Sequence, residues 1–346
     1  MRYYRYDFQS PLPGLELARA GIRFGEASQP EPGHGEVVVA VRASSLNFVD
    51  LVNLSGMFPG ADGIIPLLDG AGEVVAVGPG VTRFRIADRV LANPNFLWLA
   101  GEPGPDSWGG ALGCTTDGML CDAAVLHESA LVHLPASLSF AEGASLPCAG
   151  LSAWNSLRGG PTGKTTAPGE TVLIQGTGGV SVFALQFAKA SGCKVIATTS
   201  TPEKMERLKA LGADHVINYS EHPQWAGKVL ELTGGRGVDL AVEVGGPNTL
   251  PQSVASMRIG GRIALIGIVA GLGSIDYMHL LPINHKVLTI FANGMGSRRD
   301  LEAMLRFVDS QGIRPVIDRV FPFTEAPEAY RHFGHRRHVG KVIIEN

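Results

Sequence analysis

The 346-residue sequence lacks long apolar runs. Because a membrane-spanning helix needs about 18 or more consecutive apolar residues, the sequence predicts no such helix. The first residues, MRYYRYDFQS, contain no apolar segment of the kind that a signal peptide requires. We therefore expect a protein that is neither embedded in a membrane nor secreted.

An excess of positive charge is also missing. The chain has 29 Lys and Arg residues against 32 Asp and Glu residues, which gives a formal net charge of -3. Proteins that bind nucleic acids collect phosphates with a basic surface. The charge balance therefore predicts that neither DNA nor RNA is a partner.

Cysteines are few, and their spacing is uninformative for metal binding. The four cysteines are Cys114, Cys121, Cys148 and Cys193, and no two of them are separated by two residues. That spacing excludes a zinc ribbon and a thioredoxin-type pair. A reduced chain in the cytoplasm is the simplest interpretation, because stable disulfides belong to oxidising compartments.

The composition is that of a globular protein with two domains. Hydrophobic residues make up 45% of the chain and charged residues 18%, far from the composition of disordered proteins. At about 150 residues per domain, the length favours two domains. From Gly35 to about Ala92, β-branched runs broken by glycine and proline predict a small antiparallel barrel. Residues 93–118 are rich in Pro, Gly and Asn and predict a long surface loop.

From about Pro168 the pattern changes to apolar strands that alternate with helices. Residues 180–190, for example, have the apolar spacing of a half-buried helix. Six such strands are typical of an α/β fold with a doubly wound parallel sheet, the Rossmann architecture. A helix over 299–310 and a strand over 339–346 follow, and we expect them to return to the first domain. The six predicted strands are 171–175, 194–200, 215–219, 238–244, 262–268 and 286–292.

A glycine-rich turn joins the first of these strands to the helix that follows it. In a Rossmann unit such glycines let the backbone approach a pyrophosphate, and the N–H groups of the helix N-terminus face the anion. The position between a strand and a helix is the context that the fingerprint requires, although Ser181 replaces its third glycine. The cofactor-binding candidates in this turn are Gly176, Thr177, Gly178, Gly179 and Val180.

The end of the second strand bears on which dinucleotide is bound. An acidic residue there would bind the ribose 2′-hydroxyl of NAD, and none is present. Ser200 and Lys204 supply a hydroxyl and a cation instead, with Arg207 one turn further on. This segment favours NADP(H) over NAD(H). Ser200 or Thr201 also has the position of a helix cap before Pro202, and both interpretations can hold together.

Six motifs are distributed over nearly the whole chain: SLNFVD (45–50), DGAGEVVAVGPGV (69–81), CAGLSAW (148–154), QGTGGVS (175–181), ALGADHVINY (210–219) and GKV (340–342). Together they resemble the motifs of the medium-chain dehydrogenase/reductase superfamily. The resemblance implies a GroES-like β-barrel catalytic domain over 1–145, to which 297–346 returns, and a Rossmann NADP-binding domain over 146–296. It also implies an active site in the cleft between the two domains.

Zinc-dependent members of this superfamily hold the metal with three protein ligands and leave one position open for substrate. In this sequence the first ligand position is Asn47 and the second is Leu68, so only Cys148 matches a ligand. One thiolate does not make a zinc site. We therefore expect no catalytic zinc, and Cys148 is interpreted as a small buried residue.

The sequence looks most like the zinc-free quinone oxidoreductase branch, whose Asn-Phe-x-Asp motif it shares at 47–50. The resemblance implies NADPH-dependent reduction of a quinone or another α,β-unsaturated carbonyl. It gives Asn47 a place at the nicotinamide, where the amide could donate to a developing oxyanion. Ser152 matches a hydroxyl that contacts the carboxamide. Further cofactor contacts are implied for Tyr219, Ile268, Arg336 and Lys341.

The proton donor of this reaction stays unidentified. Quinone reductases of this branch often have tyrosines in the helix after the Asn-Phe-x-Asp motif, whereas this chain has Val52 and Phe58 there. Asp50 is a catalytic candidate, but buried aspartates at such turns usually accept backbone N–H bonds. Phe58, Trp98 and Trp108 are candidates for an apolar substrate wall or for ordinary packing.

Two other functions remain open at this point, as does the assembly. One is a zinc-free alcohol or aldehyde dehydrogenase, and the other is a dinucleotide-binding protein without turnover. The apolar strand 286–295 lies where the superfamily pairs edge strands across a two-fold axis, so we expect a homodimer.

Overall fold

The computed structural model describes residues 1–15, 18–57 and 62–346. Phe58, a candidate for the substrate wall, lies outside these residues. The strands are β1 Arg2–Asp7, β2 Gly21–Glu26, β3 Glu36–Ser45, β4 Asp69–Val77, β5 Arg89–Ala92, β6 Ala123–His127, β7 Leu131–His133, β8 Thr171–Gln175, β9 Lys194–Thr199, β10 His215–Asn218, β11 Val238–Glu243, β12 Met257–Leu265, β13 Thr289–Ala292, β14 Ile317–Pro322 and β15 Lys341–Glu345. The α-helices are α1 Phe48–Leu54, α2 Phe140–Ala144, α3 Ala149–Leu157, α4 Gly179–Ala190, α5 Pro202–Ala210, α6 Trp225–Leu232, α7 Leu250–Ser256, α8 Pro282–His285, α9 Arg298–Ser310 and α10 Ala326–Gly334.

The chain divides into two units. The first contains Met1–Leu151 and Gly296–Asn346, and the second contains Ser152–Met295. The last fifty residues therefore belong with the first half of the chain. Each unit has its own sheet and its own hydrophobic core.

The first unit is built on a seven-stranded sheet in which β3 is the central strand. Its strand order is β14-β15-β3-β4-β5-β7, and β6 also pairs with β3. The long strand β3 pairs antiparallel with β4, β6 and β15. The pair β14–β15 is parallel and lies outside residues 35–92, for which an antiparallel barrel was predicted. Helix α10 lies between the two strands in the chain and forms the crossover connection that parallel strands need.

The second unit contains a six-stranded sheet with the order β10-β9-β8-β11-β12-β13. Every pairing in it is parallel. All residues of β8 and β11 are buried, as expected for central strands covered on both faces. The strand order reverses between β8 and β11, which is the switch point where such sheets bind ligands. The predicted fold class, with its doubly wound parallel sheet, is confirmed.

Some local predictions were wrong. Strand β12 begins at Met257, five residues before its predicted start, and it includes Gly260 and Gly261. Helix α4 buries Phe183 and Ala184 beside the predicted apolar face, so it is more than half-buried. Residues 93–118 are only partly a surface loop, since Asn95 and Leu112 are buried within them. No helix within 1–15, 18–57 or 62–346 has the length and apolar content needed to cross a membrane.

Candidate active site

The first cluster of predicted site residues lies where β3 ends and α1 begins. Asn47 is the N-cap of α1, and its backbone N–H donates to Asp50 Oδ2 at 2.7 Å. The Asp50 N–H in turn donates to the Asn47 carbonyl at 3.1 Å. An acidic residue three positions into a helix stabilises its N-terminus in this way. The structure therefore brings Asn47 and Asp50 together and gives Asp50 a capping role.

The side-chain amide of Asn47 is held by charged neighbours. Its Nδ2 donates to Asp69 Oδ2 at 2.9 Å and more loosely to the Ser45 carbonyl at 3.4 Å. Its Oδ1 accepts from Lys341 Nζ at 2.6 Å. Rotating the amide by half a turn would set NH₂ against the ammonium and oxygen against the carboxylate, so electrostatics fix its orientation. The predicted oxyanion contact would therefore use the N–H that points to Ser45.

Lys341 and Asp69 form a buried ion pair beside this amide. The Lys341 ammonium is 3.4 Å from Asp69 Oδ2 and donates to the Leu46 carbonyl at 2.8 Å. Asp69 Oδ1 accepts the Cys148 N–H at 2.9 Å. Burial raises the pKa of Asp69, while Lys341, Asn47 and the Cys148 N–H oppose that rise. The carboxylate thus has a bonded partner on both oxygens, as a buried charge requires.

These residues do not fit a catalytic zinc ion. Leu68, at the second ligand position of the resemblance, is buried and has no donor atom. The Lys341 ammonium is bonded to Asn47, at the first ligand position. A cation there would repel a divalent metal, and burial raises the pKa of the Cys148 thiol, which disfavours the thiolate that zinc binds. Among the described residues, no group of three or more His, Cys, Asp or Glu side chains could hold a metal ion.

Asp50 is the second buried carboxyl group of this site. It is fully buried, and its Oδ1 has no hydrogen-bond partner among the described residues. Burial raises the pKa of Asp50 to about 8, with a further contribution from Asp69. At neutral pH the group is therefore mostly protonated. A carboxylic acid next to Asn47 is able to release a proton, which is a property that sequence patterns did not show.

A second polar group behind α1 was missed by sequence reasoning. Asn53 Nδ2 donates to the Gly113 carbonyl at 3.1 Å and contacts Cys114 Sγ at 3.3 Å and Tyr6 Oη at 3.4 Å. Burial raises the pKa of Tyr6 and raises that of Cys114 to about 11. These groups come from distant parts of the chain, so no local motif could have indicated them. They attach α1 to the core of the first unit.

Arg336 lies beside the same helix. Its guanidinium is 5.3 Å from the centre of the Phe48 ring, a cation–π distance. Its backbone has a φ of +57°, which is unusual for a residue other than glycine. The first unit therefore brings Arg336, Asn47, Asp50 and Lys341 to the start of α1, although Lys341 is buried rather than exposed for cofactor contact. The predicted cofactor contacts of Arg336 and Lys341 stay predictions.

The glycine turn lies at the carboxyl end of β8, next to the switch point. Gly176 has a φ of +73°, and its N–H donates to the Thr198 carbonyl at 2.7 Å. Gly178 is the N-cap of α4. A Cβ at either glycine would meet no atom within 4 Å, so one side of the turn is open. Ser181 Oγ donates to the Gln175 carbonyl at 2.6 Å, which ties the helix to the strand in place of a third glycine.

This turn fits a dinucleotide pyrophosphate. Its open side faces the N-terminus of a twelve-residue helix, whose first N–H groups have no carbonyl partner within the helix. The first turn of α4 has no acidic residue that would repel an anion. The residues that would hold the pyrophosphate are those of Gly176 to Val180.

The end of β9 has the helix cap that the sequence allowed, and the contact of Ser200 and Lys204 with a 2′-phosphate stays a prediction. Thr201 caps α5 by accepting the Lys204 N–H at 3.3 Å, and Pro202 is at the first helical position. The Lys204 backbone therefore serves the cap, while its half-buried side chain lies in the first turn. Ser220 Oγ donates to the Ser200 carbonyl at 3.1 Å, which links this loop to the loop after β10.

The remaining cofactor candidates of the second unit share the same edge of the sheet. Tyr219 follows β10, is 42% exposed, and donates its N–H to the Thr199 carbonyl at 2.8 Å. Ile268 follows β12 and lies against Gly246, since a Cβ there would be 3.0 Å from the Ile268 Cα. The carboxyl ends of parallel strands meet at one edge, so the structure brings these side chains to the side of the glycine turn.

Ser152 belongs to the second unit and is buried in α3. Its carbonyl accepts from Asn293 Nδ2 at 2.6 Å and from Ser156 Oγ at 2.8 Å. Asn293 follows β13, so these bonds fix α3 to the sheet. The hydroxyl contact with a carboxamide stays a prediction. Trp98 and Trp108, in the first unit, form a ring pair 5.9 Å apart, and Trp108 is partly exposed.

A buried polar network supports the switch point and was not anticipated from sequence. Gln175 Nε2 donates to Glu243 Oε2 and to Ser253 Oγ, both at 2.7 Å. Glu243 Oε1 accepts the N–H groups of Gly245 and Gly246 at 2.8 and 3.0 Å. The signal that was available is a glutamate closing the otherwise apolar strand VDLAVE. The network joins the ends of β8 and β11 and shapes the crevice between them.

Comparisons of sequence show which known proteins the chain is similar to. The family described as "Alcohol dehydrogenase GroES-like domain" matches residues 33–136, and the family described as "Zinc-binding dehydrogenase" matches residues 179–310. A zinc-type alcohol dehydrogenase-like protein of Schizosaccharomyces pombe is 42% identical over 318 residues, 90% of this chain and 91% of the relative. A quinone oxidoreductase of Pseudomonas aeruginosa is 32% identical over 336 residues, 93% and 95% of the two chains. An acryloyl-coenzyme A reductase of Metallosphaera sedula is 30% identical over 339 residues, 94% and 97%.

Solved structures agree with this similarity. A putative alcohol dehydrogenase from Sinorhizobium meliloti superposes with a TM-score of 0.89 at 38% identity, and the match covers 100% of this chain and 99% of that one. A protein described as an NAD-dependent alcohol dehydrogenase superposes with a TM-score of 0.85 at 32% identity, covering both chains completely. The similarity extends over both units.

Proposed function

The chain belongs to the medium-chain dehydrogenase/reductase superfamily, and on that basis we propose that it transfers hydride from NADPH to a quinone or another α,β-unsaturated carbonyl without a catalytic metal ion. That it is an oxidoreductase follows from the relatives reported above. The substrate class, the choice of NADPH and the independence from zinc are our proposal.

The observation that carries the proposal is the Lys341 ammonium, which bonds Asn47 Oδ1 at 2.6 Å at the first ligand position. Without a Lewis acid, an unactivated alcohol or ketone is a poor partner for hydride transfer. A carbonyl conjugated with a double bond is already polarised, so hydride can reach its β-carbon unaided. The names of two relatives, a quinone oxidoreductase and an acryloyl-coenzyme A reductase, fit such acceptors.

The residues of the second unit support binding of NADP(H). The turn from Gly176 to Val180 would hold the pyrophosphate, and Ser200 and Lys204 would hold the 2′-phosphate. Tyr219 and Ile268 would contact the nucleotide at the neighbouring strand ends, and Ser152 would contact the carboxamide. Bound there, NADPH supplies the hydride, and the protein's contribution is to hold donor and acceptor in a reactive geometry.

In the first unit, Asn47 would stabilise the negative charge that develops on the carbonyl oxygen. Its N–H toward Ser45 makes only a 3.4 Å contact, so in the fixed orientation of the amide this donor would be available to a carbonyl oxygen that approaches it. Asp50 would hold the proton that the reduced product requires, since its carboxyl group is mostly protonated at neutral pH.

We also propose a homodimer in the cytoplasm. Strand β13 is at the edge of the six-stranded sheet, and exposed apolar residues flank it, with Ile259 70% and Val287 72% exposed. Pairing of two such edges would cover both the open backbone groups and the apolar side chains. All four cysteines lie in the described ranges and none is in a disulfide, which suits a reducing compartment.

An acceptor panel with metal analysis tests the proposal. Protein purified without added zinc is given NADPH or NADH with a benzoquinone, an enone and an aldehyde, and NADP⁺ with primary and secondary alcohols. We expect NADPH consumption with quinone and enone alone, and less metal than protein. Stoichiometric zinc together with alcohol oxidation would refute the metal-free proposal.

A zinc-free alcohol dehydrogenase is the second candidate, because the relative of 42% identity and the structure of 38% identity carry alcohol dehydrogenase names. Alcohol oxidation without zinc in the same panel would establish it. Tight NADPH binding with no acceptor reduced at any pH would instead indicate a binding protein without turnover.

A further inference from the structure

We infer that Lys341 is a positioning residue: its ammonium orients and polarises the Asn47 amide, so that a positive charge acts on the substrate oxygen through the amide. This inference rests on the proposed function, in which Asn47 donates to that oxygen. It gives Lys341 a role different from the cofactor contact predicted from sequence.

The Lys341 ammonium is buried and donates to three acceptors of the protein. The side chain is 2% exposed, so neither solvent nor a bound ligand has ready access to the ammonium. Its three acceptors are the Leu46 carbonyl at 2.8 Å, Asn47 Oδ1 at 2.6 Å and Asp69 Oδ2 at 3.4 Å. An ammonium has three donors, so these contacts use all of them.

The distances from Lys341 Nζ to its acceptors show which of them it binds most closely. A lysine that merely neutralised Asp69 would have its shortest bond to that carboxylate. Lys341 instead has its shortest bond to the neutral amide of Asn47, while the carboxylate is 3.4 Å away. The arrangement favours the amide as the main recipient of the charge.

An amide bonded in this way becomes a stronger donor at its other end. A cation on Oδ1 draws electron density from the C–N bond, and hydrogen bonds in a chain strengthen one another. One N–H of Asn47 is already given to Asp69 at 2.9 Å. The other has only the 3.4 Å contact with the Ser45 carbonyl. That N–H is the donor on which the charge of Lys341 can act during hydride transfer.

Steady-state kinetics and NADPH binding of Lys341→Met test the inference. The side chain keeps its length and loses its charge. We expect kcat with a quinone to fall about tenfold or more, as when a partner that orients an active-site group is removed. We expect the KM and the Kd for NADPH to stay within about twofold, because no cofactor contact is lost. A large increase of that Kd would overturn the inference and favour the cofactor role.

A second variant separates positioning from folding. Lys341→Met alone leaves Asp69 as an unpaired buried carboxylate, which destabilises proteins strongly. Lys341→Met combined with Asp69→Asn removes both charges and keeps an acceptor for the Asn47 N–H. We expect this double variant to recover the thermal midpoint but not kcat. Recovery of both would show that Lys341 is only structural.

A matched control is Lys189→Met in the second unit, where Lys189 Nζ bonds Asp214 at 2.8 Å far along α4 from the glycine turn. It should keep wild-type kcat.

Failure of the proposed function looks different from failure of this inference. A wild-type protein that reduces no acceptor refutes both, whereas an active wild type with an equally active double variant refutes the role of Lys341 alone.

Discussion

The replacement of Asp50 by Asn should change how the stability of the protein depends on pH. Asp50 has a pKa of about 8 in the folded protein because it is buried, against 3.8 in an unfolded chain. Between these values the folded state holds one proton that the unfolded state has lost. Stability of the wild type therefore falls as pH rises through this window. Asn cannot titrate, and its amide oxygen can still accept the Asn47 N–H that Asp50 Oδ2 accepts at 2.7 Å.

The magnitude follows from the count of protons. One proton corresponds to about 1.4 kcal/mol per pH unit, so from pH 5 to pH 7 the wild type should lose about 2.7 kcal/mol relative to Asp50→Asn. Urea unfolding curves of both proteins at pH 5, 6 and 7, followed by tryptophan fluorescence, measure this difference.

A matched control is Asp122→Asn in the same unit. Asp122 is partly buried, but its bonds from Arg2 keep its pKa below the ordinary value, so its titration is complete below pH 5. The difference between wild type and Asp122→Asn should stay constant from pH 5 to pH 7. If the difference in free energy of unfolding between wild type and Asp50→Asn is also constant over that range, Asp50 is ionised in the folded protein. It then cannot hold the proton that the reduced product requires.

Two further outcomes are expected in the second unit. Lys204→Ala should raise the KM for NADPH about 10- to 100-fold and leave the KM for NADH nearly unchanged, because one charge-assisted bond to the 2′-phosphate is lost. The control is Lys209→Ala, since the Lys209 side chain bonds Glu206 on the same helix. Equal effects on both cofactors would remove Lys204 from the phosphate site. Burial opposes ionisation of Asp239, but bonds from Arg236, the Thr171 N–H and Arg258 lower its pKa to about 2. Asp239→Asn should therefore be about 2.4 kcal/mol less stable than wild type above pH 4, and the difference should shrink as pH falls to 2; a constant difference would contradict this.

The parallel sheet and its glycine turn could be predicted because their causes are local. A strand covered on both faces is apolar in its interior, as VLI is within TVLIQ, and this constraint is visible in the sequence. The turn needs a positive φ at Gly176, which the residue type indicates directly. Helix caps such as Thr201 before Pro202 are local in the same sense. The glycine turn and the helix caps of the second unit were therefore open to sequence reasoning.

The cluster around Asn47 in the first unit was less predictable because its contacts are between distant residues. Lys341 is 294 positions from Asn47, with which it forms its shortest bond. The sequence places a lysine in a terminal strand and gives no sign that its side chain turns inward. The same holds for Cys148, whose N–H reaches Asp69 across 79 positions. A resemblance could name these residues, but it could not show their partners in the fold.

The charges of the first unit connect the two features of the site that sequence did not show. Asp50 and Asp69 are both fully buried, and in the described part of the chain Lys341 is a cation bonded to Asp69. Two ionised carboxylates with one ammonium would leave a net buried charge, which is far more costly than a bound proton. The proton settles on Asp50, since Asp69 has Lys341, Asn47 and the Cys148 N–H to stabilise its ionised form, whereas Asp50 accepts the Asn47 N–H alone among the described residues. In the proposed function, the ammonium bonded to Asn47 thus also determines which carboxyl group would supply a proton.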